Sequence, residues 1–136
     1  PFTDIAKRLL ISAGTVHVRV KKMEDTGIIK GSSLTLDYKM LGYNFIAYIG
    51  VLIDRSRRTY EIIEELRKKP YVTVAHITTG KYNIFLKIRA KGTEHAREII
   101  FSIDDVEGVL RTETMISLEE SINDKKRLMK SIFNEL

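Results

Sequence analysis

SAGTVHVRVKKMEDTG, residues 12–27, admits two readings that lead to different folds. Val16, Val18 and Val20 alternate with His17 and Arg19, as a half-buried strand requires, but Lys21, Lys22 and Met23 continue neither face. As a helix, Val16, Val20 and Met23 stand at i, i+4 and i+7 with Ala13 ahead of them, and the pattern runs its full length. Ser12 stands where a side-chain oxygen would satisfy the free amides of a first turn, and Gly27 where a chain leaves a helix through a left-handed residue. The spacing therefore predicts a helix. At about 100° per residue, the face opposite the apolar stripe holds Gly14, Thr15, Val18, Lys21 and Lys22, with His17 and Arg19 on its flanks. Val18 is thus expected to point away from the core.

Upstream, FTDIAKRLL (residues 2–10) predicts a short helix with Thr3 as its cap and Ile5, Ala6 and Leu9 turned inward. Only Ile11 and Ser12 separate the two helices, and the second is small, polar and basic outside, which is the pattern of a helix-turn-helix. Such a helix fits the major groove of double-stranded DNA. Thr15, His17, Arg19, Lys21 and Lys22 would face base edges and phosphates, and the Val18 methyls a thymine methyl. Ser12 and Gly14, at the start of the helix, complete the candidate DNA-binding set. The alternative is a basic face that is merely solvated, since isolated patterns of this kind arise by chance. Charge favours the first reading slightly. The chain carries +5, and residues 1–36 hold six Lys or Arg against three Asp or Glu, a difference of +3.

A length of 136 residues with 43% hydrophobic content suffices for one domain or two small ones with ordinary cores. The absence of cysteine excludes disulfides, thiolate metal sites and cysteine nucleophiles, and suits a reducing, cytoplasmic setting. The longest uncharged apolar run, YNFIAYIGVLI (residues 43–53), is too short to span a bilayer, so no membrane partner is expected. The chain begins at Pro1 without a methionine, which leaves open whether an original segment with a targeting signal precedes it.

After Gly27, IIKGSSLTL (residues 28–36) predicts two short strands around a Gly-Ser turn, a wing beside the helix-turn-helix. DYKMLG, residues 37–42, breaks the pattern as a linker. Strands are then expected over 44–53, 72–79 and 84–90 and a helix over 58–68. Ile84, Leu86, Ile88 and Ala90 alternate with Phe85, Lys87 and Arg89, as a sheet buried on one face requires. Ala96, Ile99, Ile100 and Ile103 have helical spacing, and Leu110, Thr112, Thr114, Ile116 and Leu118 alternate again. The fold class is therefore α+β. A winged helix-turn-helix over residues 1–36 precedes a ferredoxin-like βαββαβ domain over 43–121, with both helices on one face of an antiparallel sheet. An amphipathic helix over 122–136 carries the stripe Leu128, Met129, Ile132, Phe133 and Leu136 and is expected to dock. The uncovered sheet face predicts a homodimer, whose two-fold would match paired reading helices to palindromic half-sites.

Catalytic or metal-binding residues are not expected. His17, His76 and His95 fall on three different elements without metal-ligand spacing. Glu64 with Glu65, Asp104 with Asp105 and Glu119 with Glu120 lie in charged runs that solvation explains. TTGKYNIF, residues 78–85, is different. A hairpin turn in which Gly80 supplies a positive φ accounts for part of it. The turn amides, with Thr78, Thr79 and Asn83, also form a set that can hold the carboxylate and amino groups of a small zwitterion.

FTDIAKRLLISAGTVHVRVKKMEDTGIIKG resembles the helix-turn-helix of the Lrp/AsnC family, the bacterial and archaeal feast/famine transcription regulators. LGYNFIAYIGVLI, TTGKYNIFLKI and GVLRTETMISLEE resemble its amino-acid-binding domain, in the right order and separation. The likeness covers nearly the whole chain, and several motifs look closest to the asparagine-responsive member. It implies a cytoplasmic regulator that binds DNA, needs no cofactor and is dimeric through its sheets, with four dimers assembled as an octamer. It also implies an effector site between dimers, lined by the turn Thr79, Gly80, Lys81, Tyr82 and Asn83 with help from Thr112 and Thr114, and asparagine as the effector. Family members carry a further helix ahead of the helix-turn-helix, so the first helix of that domain is expected to be missing here. A stand-alone amino-acid sensor that does not bind DNA is the alternative function.

Overall fold

The computed structural model describes residues 13–25, 36–55 and 58–135. The chain divides into two compact units, Pro1–Leu36 and Asp37–Leu136. In the first unit, α1 spans Ala13–Asp25, so the helical reading of the opening stretch holds and the strand reading does not. Val16 is 3% exposed and Val18 66% exposed, as the 3.6-residue period requires. The expected first helix over residues 2–10, the cap at Ser12, the exit at Gly27 and the wing over 28–35 lie outside the described residues.

The second unit opens with a turn where the sequence suggested a linker. The Asp37 carboxylate accepts the backbone N–H groups of Lys39 and Met40 at 3.0 and 3.3 Å, and Gly42 takes φ +88°. The elements that follow are β1 Phe45–Ile53, α2 Thr59–Arg67, β2 Val72–Ile77, β3 Ile84–Ala90, α3 Thr93–Asp104 and β4 Val109–Ile116. The βαββαβ order is thus observed, in an antiparallel sheet with strand order β2-β3-β1-β4.

Alternation builds the core. Ala47, Ile49, Val51 and Ile53 of β1 pair beside Ile84, Leu86, Ile88 and Ala90 of β3, and all are buried. Ile62 and Leu66 of α2 and Ala96, Ile99 and Ile103 of α3 close over the same face. Each fully buried Ile or Leu contributes about 1.5–3 kcal/mol relative to exposure, so this face alone explains why both helices settle on it. The opposite face carries Tyr48, Gly50 and Leu52 of β1 with Phe85, Lys87 and Arg89 of β3, and no helix of the described unit covers it.

The structure departs from the sequence reading at several points. The strand expected over 72–79 stops at Ile77, because the Thr78 N–H donates to the Asn83 carbonyl and the Thr78 hydroxyl to the Tyr82 carbonyl, which starts the turn. On β4 a register shift opposite Leu52 and Ile53 takes Leu110 out of the alternation, leaving it 69% exposed. The C-terminal amphipathic helix forms as α4, Lys126–Glu135. Leu128, Met129, Ile132 and Phe133 of its apolar stripe remain exposed, so the expected docking is not seen against the described residues, and Leu136 lies outside them.

Candidate functional site

The first candidate surface is the outer face of α1. His17, Val18, Arg19, Lys21 and Lys22 are all exposed on this one helix while Val16 is buried, so the predicted reading face is presented outward. Gly14 and Thr15 are part of the helix, and Ser12 lies outside the described residues. Its first turn contains no acidic residue to repel a phosphate from the helix N-terminus.

The second is the turn from β2 to β3. Gly80 adopts φ +93°, a left-handed conformation that a Cβ disfavours, and an ideal Cβ there would meet none of the described residues within 4 Å. The tip is therefore open, and its requirement for glycine is conformational. The far side of the turn is tied to β1. The Asn83 N–H donates to the Val51 carbonyl at 2.9 Å, and the Asn83 side-chain oxygen accepts the Ile53 N–H at 3.0 Å. The Asn83 side-chain oxygen thus has a backbone partner.

Tyr82 leaves the turn across the open sheet face. Its ring lies against Gly50, 6.1 Å from the Phe85 ring, and its hydroxyl donates to the Glu113 carboxylate. The Lys81 Nζ and the Arg111 Nη2 each lie 3.1 Å from the other Glu113 oxygen. Tyr82 and Lys81, as hydrogen-bond donors, hold the Glu113 carboxyl below the usual range, with Arg111 adding to the effect; donation to Glu113 in turn pushes the Tyr82 phenol up. A carboxylate so engaged is a fixing point for the turn.

Thr112 and Thr114 are not brought to this cluster within one chain. They pair with Val51 and Ile49 and so share the helix-covered face, where the Thr112 hydroxyl donates to Asp104 at 2.6 Å. Glu113, between them, faces the other way and lies opposite Gly50. Sequence reasoning passed over Glu113, although the two-residue strand period already separates it from its neighbours and the small Gly50 marks a place where another side chain can lie.

Several of the remaining candidates have structural partners. The His95 Nδ1 accepts the Lys91 N–H at 3.1 Å and its ring meets Tyr71 edge-on at 4.4 Å. Glu64 and Glu65 pair with Arg67 and Lys68 along α2. Among the described residues no group of three or more His, Asp or Glu side chains is placed to hold a metal, and no helix is long and apolar enough to cross a membrane.

Both parts of the chain match known protein families. Residues 46–126 match the Lrp/AsnC ligand binding domain, and residues 1–30 a winged helix-turn-helix DNA-binding domain. The regulatory protein AsnC of Haemophilus influenzae is 34% identical over 123 residues, which is 90% of this chain and 82% of that protein. The structure of Escherichia coli AsnC superposes with a TM-score of 0.82 at 30% identity, covering 91% of this chain and 84% of that one. The fold is also that of the feast or famine regulatory protein of M. tuberculosis complexed with L-methionine, at a TM-score of 0.78 and 19% identity, covering 92% of this chain and 84% of that one.

Proposed function

The chain belongs to the Lrp/AsnC family of helix-turn-helix transcription regulators, a family that is not enzymatic, and from that premise we propose how it acts. It binds double-stranded DNA in the cytoplasm through the outer face of α1. Arg19, Lys21 and Lys22 contact phosphates, and Thr15, His17 and Val18 meet base edges, with Ser12 and Gly14 at the entry of the helix. The observation that carries this reading is one helix that buries Val16 and turns an apolar Val18 outward among cations, which solvation alone does not call for. The second unit binds a small amino acid at the turn of residues 79–83. Asparagine is the effector best suited to a site made of amides and hydroxyls. A filter-binding titration on DNA from upstream of the protein's own gene, with and without asparagine and at several salt concentrations, tests both halves. DNA binding that falls with salt and shifts with asparagine supports the reading. Asparagine binding without DNA binding would identify a stand-alone sensor.

The open sheet face supplies the reason for pairing. Tyr48 and Phe85, whose rings stack at 6.0 Å, lie there with the half-exposed Met115 and Val74, and a second copy would bury them. We expect residues 37–136 alone to form dimers, and the full chain an octamer of four such pairs. Light scattering on the fragment at micromolar concentration checks this, and a stable monomer would remove the argument for dimerisation through the sheet.

A further inference from the structure

The tip of the 79–83 turn is open, so its conformation must be set by the contacts of the residues on either side of the tip. Gly50 lies on the open face of β1, opposite Glu113 of β4 and Phe85 of β3. An ideal Cβ on Gly50 would clash with three carbons of the Tyr82 ring, which packs into the space that glycine alone leaves free. From that gap the phenol reaches Glu113, and Lys81 and Arg111 close on the same carboxylate. Lys81 and Tyr82 are thus tied to β4, and Asn83 to β1. A turn fixed in this way need not be ordered by its ligand, which lowers the cost of binding.

We propose that Gly50 and Glu113 are positioning residues for the effector turn: the ring seated on Gly50 and the phenol–carboxylate hydrogen bond select the conformation in which the turn receives an amino acid. The inference rests on the amino-acid reading above for what the turn receives. The latch itself stands on the geometry.

The test uses the full chain, with asparagine calorimetry and an ultraviolet titration of tyrosinate. Glu113→Ala removes the acceptor and should weaken asparagine binding by about tenfold. Glu113→Gln keeps a neutral acceptor for the phenol and should lose less. The charged groups facing the phenol are Glu113 and Arg111 from β4 and Lys81 from the turn. With Glu113 gone, the two cations remain, so the phenol should ionise at lower pH than in the wild type, in a step absent from Tyr82→Phe. Gly50→Ala should also weaken binding by about tenfold, yet cost little more in a Tyr82→Ala background, because the two residues share one volume.

Unchanged affinity and unchanged tyrosinate titration in Glu113→Ala would overturn the proposal, as would an equal penalty for Gly50→Ala in both backgrounds. Should Gly50→Ala fail to fold, the Glu113 pair decides. If the wild type binds no amino acid, the effector reading fails by itself. The latch is then judged by the tyrosinate step and by whether the Gly50 and Tyr82 substitutions are coupled in thermal midpoint.

Discussion

Replacing Arg19, Lys21 and Lys22 together by alanine should weaken DNA binding by about 500-fold at 0.1 M salt. All three are exposed on one side of α1, and the remainder of that face offers only His17, Val18 and the helix start to the groove. Each phosphate contact contributes about 0.9 to the slope of log affinity against log salt, so three contribute about 2.7. Across the decade from 1 M, where this contribution vanishes, to 0.1 M, that slope amounts to about 2.7 powers of ten. The same substitution should therefore flatten the measured slope by nearly three, uniformly across DNA sequences. Val18→Ala should behave differently, altering preference at one base pair with little change of slope. Filter binding over a salt series separates the two effects. If the triple variant kept the wild-type slope, the phosphates would be contacted by some other surface.

The period of the side chains made this much of the molecule legible in advance. Residues 84–90 alternate without exception, and the structure buries every second one. Ala96, Ile99 and Ile103 were recognisable as an inward stripe for the same reason, and all three are buried against the sheet. Local period does not carry information about what lies across a strand pair. Leu110 appeared to continue the β4 alternation, but the register shift against β1 displaces it, and only the pairing reveals this. The same limit hid the Glu113 cluster. Thr112 and Thr114 belong to one face by period, but that the residue between them meets a glycine on β1 and a tyrosine from a turn depends on the register of β1 with β4. Asn83 shows a third limit. An amide in a turn is equally suited to a ligand and to the backbone, and here the Ile53 N–H at the end of β1 takes its oxygen.

Gly80→Val should weaken asparagine binding on the order of a hundredfold while leaving the sheet unit folded and paired. An ideal Cβ at Gly80 meets none of the described residues within 4 Å, so a clash of that atom with them does not explain the effect. It comes from φ +93°, which a β-branched residue avoids at a cost of roughly 2–3 kcal/mol. The turn cannot absorb that strain evenly. Thr78 is bonded to Asn83 and Tyr82 on one side, and Tyr82 and Asn83 are tied to Glu113 and to β1 on the other. The change falls on residues 79–81, whose amides are those proposed to face the ligand, and affinity should drop on the order of a hundredfold. Gly80→Asn provides the control, since asparagine tolerates the left-handed region. Calorimetry should find that it retains most of the binding. Wild-type affinity in Gly80→Val would remove the turn from the effector site. Equal loss in Val and Asn variants would instead mean that glycine is required by the approach of the ligand to the backbone, because the two substitutions differ in backbone strain but share a Cβ.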